Sequence, residues 1–100
     1  MHGQPVRFAL WAPLGRADLD GLCRRVARLV GESGARLAVC DASGLPADGV
    51  AVDALARLKL VAARCGAELM LAGASEELVG LIALAGLADV LDARAAADPR

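Results

Sequence analysis

Nucleophilic catalysis, metal binding and phosphoryl transfer each need particular side chains at particular spacings, and this chain holds few of them. Cys23, Cys40 and Cys65 are odd in number, widely spaced and set in apolar runs, with no Cys-x-x-Cys pair. They read as buried free thiols rather than a redox or metal motif. His2 is the only histidine and stands in an N-terminal stretch expected to be loose, so no zinc site and no metal are expected. The same imidazole is the only histidine base that a Ser or Cys nucleophile could recruit. Asp41, Asp48 and Asp53 could in principle do acid-base work, yet no feature of the sequence converges on them. Gly44 to Gly49 has neither the spacing nor the Lys-Ser/Thr of a phosphate-binding loop. The chain is therefore expected not to be an enzyme and to need no cofactor.

The remaining polar residues have simple local readings. Ser75, before Glu76 and Glu77, is an ordinary helix N-cap. Asp18 reads as a cap, with a partner contact as the alternative. Asp48 suits a helix start on dipole grounds, and Asp41, ending an apolar run, suits a cap for loop N–H groups. Ser43 reads first as a turn residue bonded to its own loop, with a regulatory hydroxyl as the alternative.

Composition narrows the partners. The formal net charge is -1, from 11 Lys+Arg and 12 Asp+Glu spread along the chain, so no basic field is available to neutralise phosphates. Phe8 and Trp11 are the only aromatics, which leaves no stacking platform for single strands, and nucleic acid is not expected as a partner. The longest uncharged apolar run, Leu78 to Ala88, falls well short of the roughly 20 residues of a membrane span and is expected to be a buried helix. No basic region followed by an apolar stretch opens the chain, so no secretory signal is expected and the cytoplasm is the expected compartment.

One hundred residues, 57% hydrophobic and 23% charged, fit a single domain spanning 1–100, with 1–4 and 93–100 as flexible ends. Val6, Phe8 and Leu10 alternate with Arg7, Ala9 and Trp11 between Pro5 and Pro13, the period of a half-buried strand. Helical spacing follows from Asp18, with Leu19, Leu22, Cys23, Val26 and Val30 on one stripe and Gly31 or Gly34 as its stop. Residues 36–41 read as a buried central strand, and 42–46 as a loop. A second helix opens at Asp48 or Gly49 and closes at Gly66, with Val52, Leu55, Ala56, Ala62 and Cys65 on one broad face. Glu68–Ala72 is the next strand, and Ser75 caps a third helix whose buried stripe is Leu78, Leu81, Ile82 and Ala85. Val90 and Leu91 add a short last strand. The order β-α-β-α-β-α-(β) predicts an α/β fold: a small, mixed, mostly parallel sheet of about four strands with three helices.

This order, with several local phrases, resembles the STAS family, the fold of bacterial anti-sigma factor antagonists. The phrases are Leu14-Gly15-Arg16-Ala17-Asp18 after the first strand and Asp41-Ala42-Ser43-Gly44-Leu45 after the central one. Two more are Cys65 to Leu71 across a helix-to-strand turn and Gly86 to Leu91 at the end. Roughly residues 6 to 92 are covered. Family members usually carry another strand before the first one found here, and its lack would leave an exposed sheet edge that another surface must cover.

The resemblance implies a protein-binding module of transcription regulation, acting on a kinase-type anti-sigma factor through residues 42–47 and the start of the second helix. The implied contact residues are Asp18, Ser43, Leu45, Asp48, Gly49, Val50 and Ala51. In the antagonists a serine at the start of the second helix is phosphorylated, and the added charge of about -1.5 to -2 disfavours the complex. Carried across, that position is Val50, and residues 44–74 contain no Ser, Thr or Tyr. The usual phospho-switch is thus expected to be lost. The resemblance also admits a small accessory subunit of a lipid-transport ABC complex, with the ATPase subunit as partner, and a homo-oligomer paired through the uncovered edge.

Overall fold

Three parallel strands, β1 (Val6–Trp11), β2 (Leu37–Gly44) and β3 (Glu68–Ala72), form a sheet in the order β1-β2-β3. In this computed structural model residues 4–87 are described. The strands are joined by α1 (Leu19–Ser33) and α2 (Gly49–Arg64), and α3 (Glu76–Leu84) follows β3. Because each crossover advances to the next strand in the same direction, right-handed connections set α1 and α2 on one side of the sheet.

Strand alternation agrees with that arrangement. Leu10, Ala38, Cys40, Ala42, Leu69 and Leu71 are buried and join one core with Leu19, Leu22, Val26 and Val30 of α1 and Ala51, Leu55, Leu58 and Ala62 of α2. The opposite face carries Arg7, Ala9 and Trp11, then Asp41 and Ser43, then Glu68, all exposed. No described element covers that face. A shallow hollow of about 580 Å³ lies on it, bordered by Arg7, Ala9, Val39, Asp41, Ser43 and Ala72.

The helix ends follow from local chemistry. Gly34, Gly66 and Gly86 stand just past their helices at φ 69°, 80° and 78°, a left-handed conformation that glycine adopts without a Cβ penalty. Asp48 accepts a hydrogen bond from the Ala51 N–H at 2.9 Å, and Ser75 accepts one from the Leu78 N–H at 3.1 Å. Each satisfies a donor that the first turn leaves free.

Four expectations need correction. First, β2 runs on to Gly44 rather than ending at Asp41, because parallel pairing to Trp11 draws Ala42, Ser43 and Gly44 into the ladder. The pairing passes from Ala9↔Asp41 to Trp11↔Gly44, so one extra residue sits in β2 and β1 stays regular. Second, Asp18 does not cap α1. It closes the preceding 3₁₀ turn, Arg16–Asp18, by accepting from the Gly15 N–H at 2.9 Å.

Third, the stripe expected to be buried on α3 is narrower: Leu78 and Ile82 are buried, Ala85 is exposed, and Leu84 is 86% exposed, because among the described residues α2 is the main helix packed against it. Fourth, of the cysteines only Cys40 is fully buried, while Cys23 and Cys65 are half-buried between α1 and α2. Among the described residues the sheet has three strands, all parallel. The strand expected at Val90–Leu91, the tail 93–100 and His2 lie outside the described residues.

Burial also settles the thiol chemistry. Desolvation, with a smaller contribution from the neighbouring Asp41 charge, pushes the Cys40 thiol up to about 12 from 9.0. The unfolded chain therefore ionises first as pH rises. Stability is fully present below about 9 and falls as pH climbs toward 12, by roughly 1.4 kcal/mol per unit at the steepest. The chain has no tyrosine to mask this. Alkaline denaturation of wild type and Cys40→Ala is expected to give a clearly shallower pH dependence for the variant. Identical slopes would show that Cys40 is not the group responsible.

Candidate functional site

The loops at the carboxyl ends of the strands meet the start of α2, and this corner gathers most of the residues singled out in the sequence. Asp48 is the N-cap of α2, so Gly49 is the first residue of the helix and Val50 the second. The 3₁₀ turn lies against this helix start. The Arg16 guanidinium is 3.8 Å from where a Cβ on Gly49 would stand, and it pairs with Asp53 one turn further on at 3.1 Å. Asp53 also takes the Arg57 Nε–H at 3.1 Å, and Arg57 reaches Asp20 of α1 at 3.6 Å. These exposed pairs are screened by solvent and add little to stability. Their role is to hold the turn, α1 and α2 in one register.

The expected contact residues divide by depth. Asp18, Asp48 and Gly49 are exposed at the corner, together with Pro46 and Ala47. Leu45 and Ala51, expected at the partner surface, are instead buried at 5% and 1% exposure. They anchor the loop and the first turn from beneath. Val50 is half-buried and packs against the core, so its side chain is a packing residue with one face to solvent.

Ser43 is set apart from the others. It points into the hollow on the open face of the sheet, beside Arg7, Asp41 and Ala72. Its N–H donates to Asp41 Oδ1 at 3.0 Å. That bond, helped by the nearby Ser43 hydroxyl, holds the Asp41 carboxyl below its ordinary range. Gly73 closes the same cluster at φ 73°, where a Cβ would come within 3.1 Å of Ser43 Cβ and 3.3 Å of Asp41 Oδ1. Ser43 and Asp41 thus form a hydrogen-bonded pair on the open side of the sheet, while the α2 start belongs to the helix layer on the other.

Sequence reasoning missed a groove. Ala47, in the loop before α2, faces α3 across a cleft of about 610 Å³ bordered by Glu76, Glu77, Gly80, Leu81 and Leu84. Leu84 is the most exposed large apolar residue of the described chain, at 86%. The signal was present in the run Leu78 to Leu84, whose apolar residues encircle the helix more completely than one neighbour can cover. Among the described residues no group of three or more His, Cys, Asp or Glu is placed to hold a metal ion, and no helix is long and apolar enough to cross a membrane. No protein-family model matches the chain, and no curated protein matches it.

Proposed function

We propose that this chain is a non-catalytic protein-binding module of the STAS type, acting in the cytoplasm as an antagonist of a kinase-type anti-sigma factor. The observation that carries this reading is the surface at the α2 start. Exposed Asp48, Gly49 and Ala47 stand beside an open cleft that offers an apolar partner the Leu84 side chain and a cation the Glu76 and Glu77 carboxylates. A mixed apolar and charged patch of this kind suits a protein partner better than a small substrate. It also lies where the resemblance to the antagonists puts their regulated helix.

With Val50 at the switch position, the module is constitutively competent to bind. Adding a charge there mimics the phosphorylated form. Pull-down with wild type is expected to recover a sigma-regulatory kinase, and Val50→Glu is expected to weaken that capture at least about ten-fold, or ~1.4 kcal/mol. Because Val50 is half-buried, Gly49→Glu serves as the companion variant: its Cβ meets only the mobile end of Arg16 at 3.8 Å. Equal capture by all three proteins would overturn the reading. Recovery of an ABC ATPase subunit would replace the anti-sigma factor with the transport complex as the setting.

A further inference from the structure

β1 is an edge strand whose outer side pairs with nothing among the described residues. The Ala12 N–H donates to Gly44 O at 3.2 Å, and along a strand alternate residues aim their backbone groups to the same side. Val6, Phe8, Leu10 and Ala12 therefore face β2. The N–H and C=O groups of Arg7, Ala9 and Trp11 face outward, unpaired. Beside them, between β1 and α1, runs a groove of about 320 Å³ bordered by Phe8, Leu10, Trp11, Leu22, Arg25 and Leu29. Trp11, the only tryptophan, is 67% exposed at its end.

We propose that this edge binds a second copy of the same chain, β1 against β1 in antiparallel register, joining two sheets into one of six strands. The strand is self-complementary about Ala9. With Ala9 opposite Ala9 of the second copy, Arg7 stands opposite its Trp11, and Phe8 opposite its Leu10. Both Ala9–Ala9 and Arg7–Trp11 are then hydrogen-bonded pairs, because these are the residues whose backbone groups face outward. Arg7 and Trp11 share the open face of the sheet, so each guanidinium lies against the indole of the other copy. Phe8 and Leu10 share the helix-covered face and extend the core across the junction.

The prolines select this register. A shift of two residues one way brings Pro5 opposite Trp11, and two the other way brings Pro13 opposite Arg7. Each shift puts a residue without an N–H in a donor position. A shift of one residue turns the apolar set to the wrong face. The edge also lacks the usual protections against pairing: β1 has no proline, no lysine and no bulge of its own. The same two-fold axis runs α1 antiparallel to its mate.

Sedimentation of the full chain from about 1 μM to about 1 mM tests the pairing. Wild type is expected to approach twice the 10.2 kDa chain mass. Ala9→Pro is expected to stay at the single-chain mass with an unchanged circular dichroism spectrum, since the Ala9 N–H is not used within the sheet. Ala9→Cys is expected to cross-link on mild oxidation, whereas Arg7→Cys is not, its two copies lying about 13 Å apart along the strands. A single-chain mass at every concentration would overturn the proposal. So would a dimer that survives Ala9→Pro, or equal cross-linking at positions 7 and 9.

Discussion

Leu55→Ala is expected to cost about 2–5 kcal/mol of folding stability. Leu55 is 0% exposed and lies on the α2 stripe Ala51–Leu55–Leu58–Ala62 that faces the sheet. Removing its three outer carbons leaves a cavity under the middle of α2. No neighbouring side chain is free to fill it, because the sheet residues of the same core, Ala38, Cys40 and Ala42, are small and fully buried. A domain of this size holds about 5–15 kcal/mol in all, so the loss is a large share of the total. In urea the midpoint is expected to fall while the slope stays constant, and heating is expected to lower the Tm by more than about 10 °C. The corner residues are untouched, so partner capture well below the new Tm is expected to persist.

Gly44→Ala is expected to cost about 1–3 kcal/mol and to loosen the end of the sheet. A Cβ at Gly44 would stand 2.7 Å from Trp11 Cβ, 3.3 Å from Trp11 Cα and 3.2 Å from Leu10 O. Two of those atoms belong to the backbone of β1, so no side-chain rotation relieves the contact and the strand ends must part. The Ala12 N–H to Gly44 O bond goes with them. Faster hydrogen exchange at the Ala12 amide is the expected local signature. Gly80→Ala is the contrasting variant. Gly80 is exposed within α3 with nothing within 4 Å of a new Cβ, and alanine there is expected to add about 0.5–1 kcal/mol. Opposite signs at two glycines separate steric crowding from backbone entropy.

Elements whose pattern is local were legible from the residues. The alternation in β1, the Asp48 and Ser75 caps and the stop at Gly66 all depend on neighbours within a few positions. What escaped depends on distant partners. Ala42-Ser43-Gly44 has the chemistry of a turn, and only its pairing with Trp11 makes it strand. Asp18 is drawn to the Gly15 N–H because a 3₁₀ turn intervenes before α1. Ala85 reads as part of the buried stripe of α3, but among the described residues α2 covers only one side of that helix.

The candidate site shows the same division. Asp48, Gly49 and Val50 were recognisable as a helix start. That Leu45 and Ala51 sink into the core, and that Ser43 faces the opposite side of the sheet, follows from which strand each residue extends. Neither fact has a local sequence signal. The cleft between Ala47 and α3 is likewise a product of packing, since its two walls are about thirty residues apart in the chain.

Binding at the α2 corner is tested most directly by comparing three charge insertions against the partner captured by the wild-type chain. Gly49→Glu and Leu84→Glu place a carboxylate in the proposed surface. Leu60→Glu places one at an apolar residue that is 59% exposed on α2 and borders no part of the cleft. The expected result, by titration calorimetry with all three variants folded, is a Kd raised at least about ten-fold by the first two and unchanged by the third. Unchanged affinity for Gly49→Glu and Leu84→Glu, or an equal loss for Leu60→Glu, would contradict a partner surface at the start of α2.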